Sequence, residues 1–424
     1  MLSDGPNRHP CTLAGMTSAL PSISAIRERF PALRTPMALL ENAGGSQVPI
    51  DVADAIRAYM LESYVQLGAG YAMSNVATAT VERAHAFVNL IVNGMGCGSA
   101  ILGPSSTQLC YLIAGCYADT IRPGDEIVIA ATGHEANIGP WLRLERAGAT
   151  IRWWPVDPVA RDCTLAGLDS VLSDRTRIVA VPHVSNLLGA IADVSAITRR
   201  AHSAGARVFV DGVAFAPHRV MDVAAWDVDW YVYSTYKVYG PHMGALYGRT
   251  DALAELRGPN HFFIPEGQVP YKFELGGASH EGCAAILALQ PYLAFLAGED
   301  PAHAGTRATI ERAFERMTEL EAPLQRRLVD GLRGIPGVRL IGPAASGTGE
   351  RVPTVSFTHA RYAPSEVVAA LRDAGVAIRH GHMYAYRLCE ALGIDTREGV
   401  ARVSLVHYNA AEEVQRAIDA VAAL

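Results

Sequence analysis

The chain has 424 residues, of which 50% are hydrophobic and 18% are charged, and its formal net charge is −6. This apolar content is enough to bury a core in roughly two or three domains, so a largely disordered chain is excluded. The 36 Lys and Arg residues are outnumbered by 42 Asp and Glu residues and form no basic run. Binding to nucleic acid is therefore not expected.

The sequence carries no sign of a membrane span, a secretory signal or a metal site. No window approaches the roughly 18 uninterrupted apolar residues of a membrane span. The N-terminus lacks a basic start followed by an apolar segment, which is unlike a secretory signal. The seven cysteines are scattered without CxxC spacing, which argues against a disulfide framework or a zinc site. We expect a soluble cytoplasmic protein without a bound metal.

Strand-like and helical stretches alternate from about residue 85 to residue 250. Such alternation predicts a mostly parallel sheet with helical crossovers. The last run, at 244–249, follows its predecessor too closely for a helical crossover, so it should pair antiparallel. The other strand candidates are 126–130, 150–156, 177–184, 207–213 and 229–235.

The C-terminal part predicts a second, smaller α/β unit. Residues 305–334 form one long amphipathic helix, because Ile310, Phe314 and Met317 recur at helical spacing. We expect this helix to bridge two domains, since strand-like and helical runs follow it. The predicted organisation is an N-terminal segment over 1–35 that packs with the small domain, a large domain over 36–304 and the small domain over 305–424.

Polar side chains follow five of the apolar runs. Ligands of open α/β sheets bind beyond the carboxyl ends of the strands, so these side chains are the first candidates for a site. Each one alone has an ordinary structural explanation, such as helix N-capping by serine. Their joint order is what indicates a shared function. The candidates are Ser105, Ser106 and Thr107 after the run AILGP, followed by His134, His183, Asn186, Asp211 and Lys237.

The order of these residues indicates pyridoxal phosphate chemistry. A lysine amine such as that of Lys237 forms a Schiff base with the cofactor aldehyde. A carboxylate such as Asp211 keeps the pyridine nitrogen protonated, so that the ring accepts electrons from the substrate α-carbon. Ser106 and Thr107 lie where a helix N-terminus would bind the phosphate dianion.

Several motifs resemble the class V aminotransferase family, specifically its cysteine-desulfurase-like branch. They are VPHVSNLLGAIADV, VFVDGVAFAPH and DWYVYSTYKVYGPHMGALYGR, and the likeness extends across almost the whole chain. The resemblance implies the α/β fold type I of pyridoxal phosphate enzymes, in which a large domain with a mostly parallel seven-stranded sheet carries a smaller α/β domain. It also implies an amino-acid substrate and a homodimer with shared active sites.

The resemblance further assigns roles to individual residues of this sequence. Lys237 would be the Schiff-base lysine, and Asp211 would be the partner of the pyridine nitrogen. His134 would stack on the cofactor ring, and Asn186 would lie near the ring oxygen. Arg402 would bind the substrate α-carboxylate through its planar guanidinium. The remaining cofactor contacts would be Ser106, Thr107, Ser234 and Tyr236, and the remaining substrate contacts would be Asn42, Ala43, Arg379 and Tyr384.

The sequence also departs from the family at positions that matter for the reaction. Where a cysteine desulfurase carries its nucleophilic cysteine, after Arg-x-Gly-His, the stretch IRHGHMY aligns Tyr384. Cys389 lies five residues further on, in a predicted helix, where a small buried residue is the favoured interpretation. Ala214 replaces the glutamine that commonly contacts the ring oxygen, and Gly277 replaces a threonine offered across the dimer interface.

These departures favour a lyase-type reaction over persulfide formation. We expect β-elimination across the C–S bond of a cysteine derivative, with Tyr384 as a proton donor to the leaving group or as a wall beside it. An aminotransferase or a decarboxylating deaminase is the alternative. A protein that binds the cofactor without turnover is the third possibility.

Overall fold

The structure is a computed structural model that describes residues 20–301, 304–343, 347 and 349–424. Residues 1–19 of the predicted N-terminal segment lie outside the described residues. The strands are β1 (Ala38–Leu39), β2 (Gly98–Gly103), β3 (Glu126–Ala130), β4 (Thr150–Trp154), β5 (Thr176–Pro182), β6 (Arg207–Asp211), β7 (Trp230–Ser234), β8 (Gly244–Arg249), β9 (Val338–Ile341), β10 (Thr354–His359), β11 (Val376–Ala377), β12 (Arg379–Gly381) and β13 (Val400–Ser404).

Helices surround and connect these strands, and none in the described part of the chain is both long enough and apolar enough to cross a membrane. They are α1 (Ile23–Glu28), α2 (Ile50–Glu62), α3 (Ala72–Ile91), α4 (Ser106–Ala118), α5 (Gly139–Leu142), α6 (Leu165–Asp169), α7 (Val194–Ser203), α8 (Val223–Trp226), α9 (Thr250–Glu255), α10 (His280–Leu287), α11 (Leu289–Leu296), α12 (Arg307–Arg333), α13 (Pro364–Asp373), α14 (Tyr386–Ala391) and α15 (Ala411–Ala422).

A seven-stranded sheet forms the centre of the large unit, in the order β2-β8-β7-β6-β5-β3-β4. The neighbours from β7 to β4 are parallel, whereas β8 runs antiparallel to both β2 and β7. The connection from β7 to β8 is too short for a helical crossover. The predictions of a mostly parallel seven-stranded sheet and of an antiparallel strand at 244–249 are confirmed.

Both faces of this sheet are buried, and its strands are therefore apolar at consecutive positions rather than at alternate ones. In β6, Val208 and Val210 face one core and Phe209 faces the other. Helices α3, α7, α10 and α11 contribute to the first core, and α4, α5 and α9 contribute to the second. With both faces covered, the carboxyl ends of the strands are the part of the sheet that remains for a ligand.

The second sheet is antiparallel and has four strands in the order β12-β13-β10-β9. Helices α12, α13 and α15 pack on it around a separate core that includes Leu328, Leu371 and Val403. β1 pairs in parallel with β11 at the same unit. The N-terminal part of the chain is thus attached to the C-terminal unit just before the loop that begins at Asn42.

The long helix α12 joins the two cores, in the place where a helix over 305–334 is predicted. Phe314 in its first half lies in the core of the large sheet, and Leu328 in its second half lies in the core of the small sheet. A buried cluster of polar and charged side chains lies at the junction. Glu321 lies 3.0 Å from His218 Nδ1 through Oε1 and 3.2 Å from Arg219 Nη1 through Oε2.

Residues 20–35 contact both units. Ile26 and Phe30 are buried in the core of the large sheet. The Arg27 guanidinium donates to the backbone oxygen of Tyr408 at 2.8 Å and pairs with Glu413 at 3.0 Å. The domain boundaries after residues 35 and 304 stay a prediction, because this segment belongs to neither unit alone.

Candidate active site

Two adjoining cavities open at the carboxyl ends of β5, β6 and β7. The inner cavity, of about 540 Å³, lies between these strand ends and the N-terminus of α4, and the outer cavity, of about 1050 Å³, lies beside the loop after β12. Four side chains line both cavities and form the boundary between them: His134, Asn186, Tyr236 and Lys237. The inner cavity is also lined by Ser106, Thr107, Cys110, Asp211, Ala214 and Ser234, and the outer one by Ala43, Arg379, His382, Tyr384, Arg397 and Arg402.

The N-terminus of α4 forms one wall of the inner cavity. Ser105 caps the helix, because its hydroxyl accepts a hydrogen bond from a first-turn backbone N–H at 3.2 Å. The backbone N–H groups of Ser106 and Thr107 have no carbonyl partner within the helix, which is the arrangement that binds anions. Gly244 lets β8 approach this turn, since a Cβ at that position would lie 2.4 Å from Ser106 N.

Hydroxyl groups continue this wall away from the helix. Ser106 Oγ lies 2.8 Å from Ser234 Oγ. Burial raises the pKa of Tyr236, whereas a hydrogen bond with Ser234 acts in the opposite direction. The Tyr236 ring is held by stacking on His242, with the centroids 4.6 Å apart. Together with the free N–H groups of α4, these hydroxyls provide the donors that a phosphate group requires.

Asp211 and Lys237 both lie in the inner cavity, and the pKa of each is shifted from its ordinary value. Asp211 ends β6, and its Oδ1 accepts a hydrogen bond from Val213 N at 2.9 Å. Burial raises the pKa of Asp211, against the effects of that bond and of Lys237. Lys237 ends the short turn after β7, and burial, together with the charge of Arg402, lowers its pKa to about 8. Part of the amine is therefore neutral near physiological pH, as a nucleophile must be.

His134 follows β3 and is neutral. Its Nδ1 accepts a hydrogen bond from Ala136 N at 3.0 Å, so the ring proton is on Nε2. Burial lowers the pKa of His134 to about 4, and the charges of Lys237 and Arg402 lower it further. The imidazole is thereby fixed at the boundary between the two cavities.

Asn186 and Arg402 leave buried polar atoms without partners in the described part of the molecule. Asn186 Nδ2 donates to Met383 O at 2.7 Å, but its Oδ1 has no hydrogen-bond partner. Arg402 Nη1 donates to Asn186 O at 3.1 Å, but its buried Nε has none. Burial also lowers the pKa of Arg402 to about 10. Because buried polar groups are nearly always hydrogen-bonded, these atoms indicate where a ligand completes the site.

The N-terminal loop contributes Ala43 but not the side chain of Asn42. Ala43 lines the outer cavity, and its N–H donates to Ser404 Oγ at 2.8 Å. The Asn42 side chain is buried, donates to Ser404 O at 2.9 Å and accepts from the Tyr408 hydroxyl at 2.6 Å. The structure contradicts the predicted substrate contact of this side chain, because its amide is used to hold the loop.

The loop after β12 is strained and held in place. Met383 and Tyr384 both have positive φ angles, of 50° and 60°, which residues with a side chain rarely adopt. Met383 O accepts from Asn186 Nδ2, and Tyr384 O accepts from Glu135 N at 2.9 Å. Two successive carbonyls therefore attach this loop to the large domain, which offsets the strain.

The structure also corrects and extends the set of predicted residues. His183 is wrong as a site residue, because its ring is buried in the core and stacks on Phe215 at 3.6 Å. Arg379 lines the outer cavity as predicted, and its Nη1 lies 3.3 Å from Glu41 Oε1. The lining residues His380, His382 and Arg397 were not predicted from the sequence, and neither was the contact of Glu41 with Arg379. His382 was visible in the motif IRHGH, whereas no pattern marks Arg397.

Metal binding finds no support in the part of the chain that the structure describes. No group of three or more His, Cys, Asp or Glu side chains is arranged there to hold a metal ion.

Comparisons with known proteins agree with this geometry. Residues 38–417 match the family described as aminotransferase class V. The chain is 39% identical over 414 residues to the aminotransferase-like protein FGM3 of Gibberella zeae, covering 96% of this chain and 99% of that protein. It is 31% identical over 416 residues to a cysteine desulfurase of Dickeya dadantii, covering 93% and 95%. Its fold matches the Escherichia coli cysteine desulfurase CsdA with a TM-score of 0.80 at 27% identity, covering 95% and 98%.

Class V aminotransferases and cysteine desulfurases use pyridoxal phosphate, and the inner cavity fits this cofactor. The buried carboxyl of Asp211 suits the pyridine nitrogen, the amine of Lys237 suits the aldehyde, and the N-terminus of α4 suits the phosphate. The Asn186 amide, with an unpartnered Oδ1, adds polar atoms between them. The chain therefore belongs to the class V aminotransferase family of pyridoxal phosphate-dependent enzymes.

Proposed function

We propose that this enzyme catalyses β-elimination on an S-substituted cysteine without forming a persulfide on the protein. The C–S bond breaks, water is consumed, and pyruvate, ammonia and a thiol are released, so the reaction needs no oxidant or reductant. The cysteine desulfurases among the relatives support a sulfur-containing amino acid as the substrate. The bound cofactor supplies the electron sink for the charge that develops at the substrate α-carbon.

The observation that carries this proposal is that none of the cysteines in the described residues lines the outer cavity. Cys110 lines the inner cavity, but burial raises its pKa well above the usual range. Cys389 is buried in α14, and burial raises its pKa to about 11. Because the thiolate is the nucleophilic form, neither residue is suited to attack a substrate sulfur.

The backbone of the loop after β12 supports the same conclusion. Persulfide chemistry on this loop requires a thiolate that moves toward the substrate and away again. Here Tyr384 stands at the position of the cysteine, and the hydrogen bonds from Asn186 and Glu135 restrain the loop. A restrained loop with a phenol is better suited to proton transfer than to carrying sulfur.

Three residues of the outer cavity supply the remaining steps. Arg402 binds the substrate α-carboxylate, because its planar guanidinium can make two parallel hydrogen bonds and its Nε lacks a partner. Lys237 Nζ accepts the α-proton, since a pKa of about 8 leaves part of the amine neutral. The Tyr384 hydroxyl donates a proton to the departing sulfur, which then leaves as a neutral thiol.

The test supplies the holoenzyme with S-benzyl-cysteine and measures pyruvate and benzyl thiol over time. We expect the two products in equal amounts. Free L-cysteine with a reductant is the comparison, and its conversion to alanine and sulfide would contradict the proposal. The absence of pyruvate and thiol from a panel of S-substituted cysteines would contradict it as well.

Transamination is the second candidate, favoured by the identity of 39% to the aminotransferase-like protein of Gibberella zeae. In that reaction the amino acid becomes a keto acid that retains its sulfur substituent, so no thiol is released. The same assay therefore separates the two candidates. Release of carbon dioxide would instead indicate a decarboxylating deaminase.

We further propose that the enzyme is a homodimer. Phe262 and Phe263 are 99% and 65% exposed, and Leu275 lies on the same connection between α9 and α10. A cavity of about 1200 Å³ between this connection and α4 is lined by Leu275, Tyr111 and Leu112. Exposed apolar surface of this kind is typical of a protein interface. This apolar surface lies beside α4, whose N-terminus forms one wall of the inner cavity. A partner subunit bound there would therefore help to enclose the cofactor site.

A further inference from the structure

The outer cavity carries more positive charge than a single substrate carboxylate would balance. Arg379, Arg397 and Arg402 line it, and no Asp or Glu side chain of the described residues does. The substrate α-carboxylate balances one guanidinium. Glu41 does not line the cavity, but its carboxylate pairs with Arg379 and balances a second guanidinium. No carboxylate among the described residues that line the cavity balances the third guanidinium.

Two of these arginines are forced together by the sheet. Arg379 on β12 and Arg402 on β13 are directly opposite partners in the antiparallel register. Directly opposed side chains lie on the same face of a sheet, with Cβ atoms about 5 Å apart, and like charges in this arrangement are destabilising. Arg402 is only 4% exposed, so little solvent screens it. A ligand with two negative groups would relieve the repulsion.

The ion pair between Arg379 and Glu41 is one that a ligand can replace. It is a single contact of 3.3 Å between side chains that are 56% and 36% exposed. Exposed single-contact pairs contribute little free energy. A carboxylate that offers two parallel hydrogen bonds would be a better partner for the Arg379 guanidinium. Arg397 lines the same cavity and is exposed, so it is available to the same ligand.

Building on the proposed β-elimination, we infer that the substituent on the substrate sulfur carries a second carboxylate. Arg402 binds the α-carboxylate, and Arg379 and Arg397 bind the distal one. The substrate class is therefore a cysteine S-conjugate with an acidic side arm. Neutral alkyl or aryl conjugates are turned over with lower affinity.

The test uses two ligands that differ in one charge, S-carboxymethyl-cysteine and S-carbamoylmethyl-cysteine. Binding to the holoenzyme is followed by the change in cofactor absorbance and by calorimetry, so that no turnover is needed. We expect the carboxylate to bind about tenfold more tightly or better, because bonds between charged partners are about twice as strong as neutral ones. Equal affinities for the two ligands would overturn the inference.

Three variants and a control assign the effect to residues. Arg379→Gln and Arg397→Gln should each reduce the preference for the carboxylate, mainly through KM rather than kcat. Glu41→Gln should increase the preference, since it removes the competitor of the ligand, and a merely structural role of Arg379 would not produce this gain. Arg372→Gln, at an exposed position of α13, is the matched control and should leave the preference unchanged. An unchanged preference in all three site variants would contradict the assignment.

Failure of this inference is distinguishable from failure of the proposed function. Tighter binding of the carboxylate ligand without release of pyruvate would support the distal carboxylate site at Arg379 and Arg397 and would exclude β-elimination. Release of pyruvate at equal efficiency from both ligands would support β-elimination and would exclude the distal carboxylate site at Arg379 and Arg397.

Discussion

The rings of Tyr384 and His134 lie against each other, with centroids 5.1 Å apart and planes inclined by 32°. They belong to different units of the fold, and the hydrogen bond from Glu135 N to Tyr384 O joins their two loops. Burial keeps His134 neutral by lowering its pKa to about 4. The phenol is therefore positioned in the outer cavity, beside the boundary with the inner one, by an uncharged neighbour.

The Tyr384→Phe substitution tests the phenol as a proton donor. The ring and its contact with His134 are retained, so substrate binding should change little. We expect kcat for β-elimination to fall by about 100-fold, the usual contribution of a positioned general acid. The matched control is Tyr386→Phe, because Tyr386 is also partly exposed but does not line the outer cavity. An unchanged kcat in Tyr384→Phe would mean that solvent protonates the leaving group.

The lowered pKa of Lys237 predicts how the apoenzyme takes up its cofactor. Only the neutral amine attacks an aldehyde, and its fraction rises with pH through the pKa of about 8. The rate of the absorbance change on mixing with pyridoxal phosphate should therefore rise with pH and have its midpoint near 8. Arg402→Gln removes a charge that favours the neutral amine, so its midpoint should move upward. A midpoint near that of an ordinary lysine in the unaltered protein would contradict the assignment.

Buried neutral histidines predict a loss of stability in mild acid. His407 is buried between the hydroxyls of Tyr239 and Tyr292, and burial lowers its pKa to about 3. The unfolded chain binds this proton near pH 6.5, so the stabilisation is complete above that pH and is lost as the pH falls toward 3. This group alone should reduce the free energy of unfolding by about 2 kcal/mol between pH 7.5 and pH 5. Urea titrations at the two pH values measure it.

A variant separates His407 from the other histidines that act in the same direction. Burial also lowers the pKa of His183 to about 3. His407→Gln is expected to be less stable at pH 7.5 but to show a smaller difference between the two pH values. The same pH difference as in the unaltered protein would exclude His407 as a source.

The exposed aromatic pair predicts the oligomeric state. Replacing Phe262 and Phe263 by Asp should convert a dimer into a monomer, because two charges would be desolvated in the interface. Sedimentation analysis measures the mass. Val159→Asp is the control, since Val159 is 90% exposed on the loop between β4 and α6. A dimer that survives the double substitution would place the interface elsewhere.

The helices and strands of the large sheet were largely predictable because local patterns mark each of them. Alternating strands and helices predict the parallel sheet, and the short connection before β8 predicts its reversal. The polar residues after the strands also lead to the cavity, where the structure brings Ser106, His134, Asp211 and Lys237 together. The likeness to the family guided the choice of Arg379 and Arg402 from the C-terminal unit.

The orientation of individual side chains was less predictable, because it depends on contacts that are distant in sequence. His183 and Asn186 follow the same strand, yet the His183 ring enters the core and the Asn186 amide faces the cavities. Asn42 is adjacent to Ala43, yet its amide is held by Tyr408 from the far end of the chain. No local pattern distinguishes these cases.

The turn that carries Lys237 is contacted by residues that are distant from it in sequence on both sides. Ser46 Oγ donates to Tyr236 O at 3.1 Å and accepts from Tyr239 N at 3.0 Å, while the Tyr239 hydroxyl lies 3.0 Å from His407 Nδ1. During synthesis, the lysine emerges from the ribosome long before His407 does. A nascent chain can fold its large sheet early, but the contact that Tyr239 makes with His407 forms only after residue 407 has been synthesised.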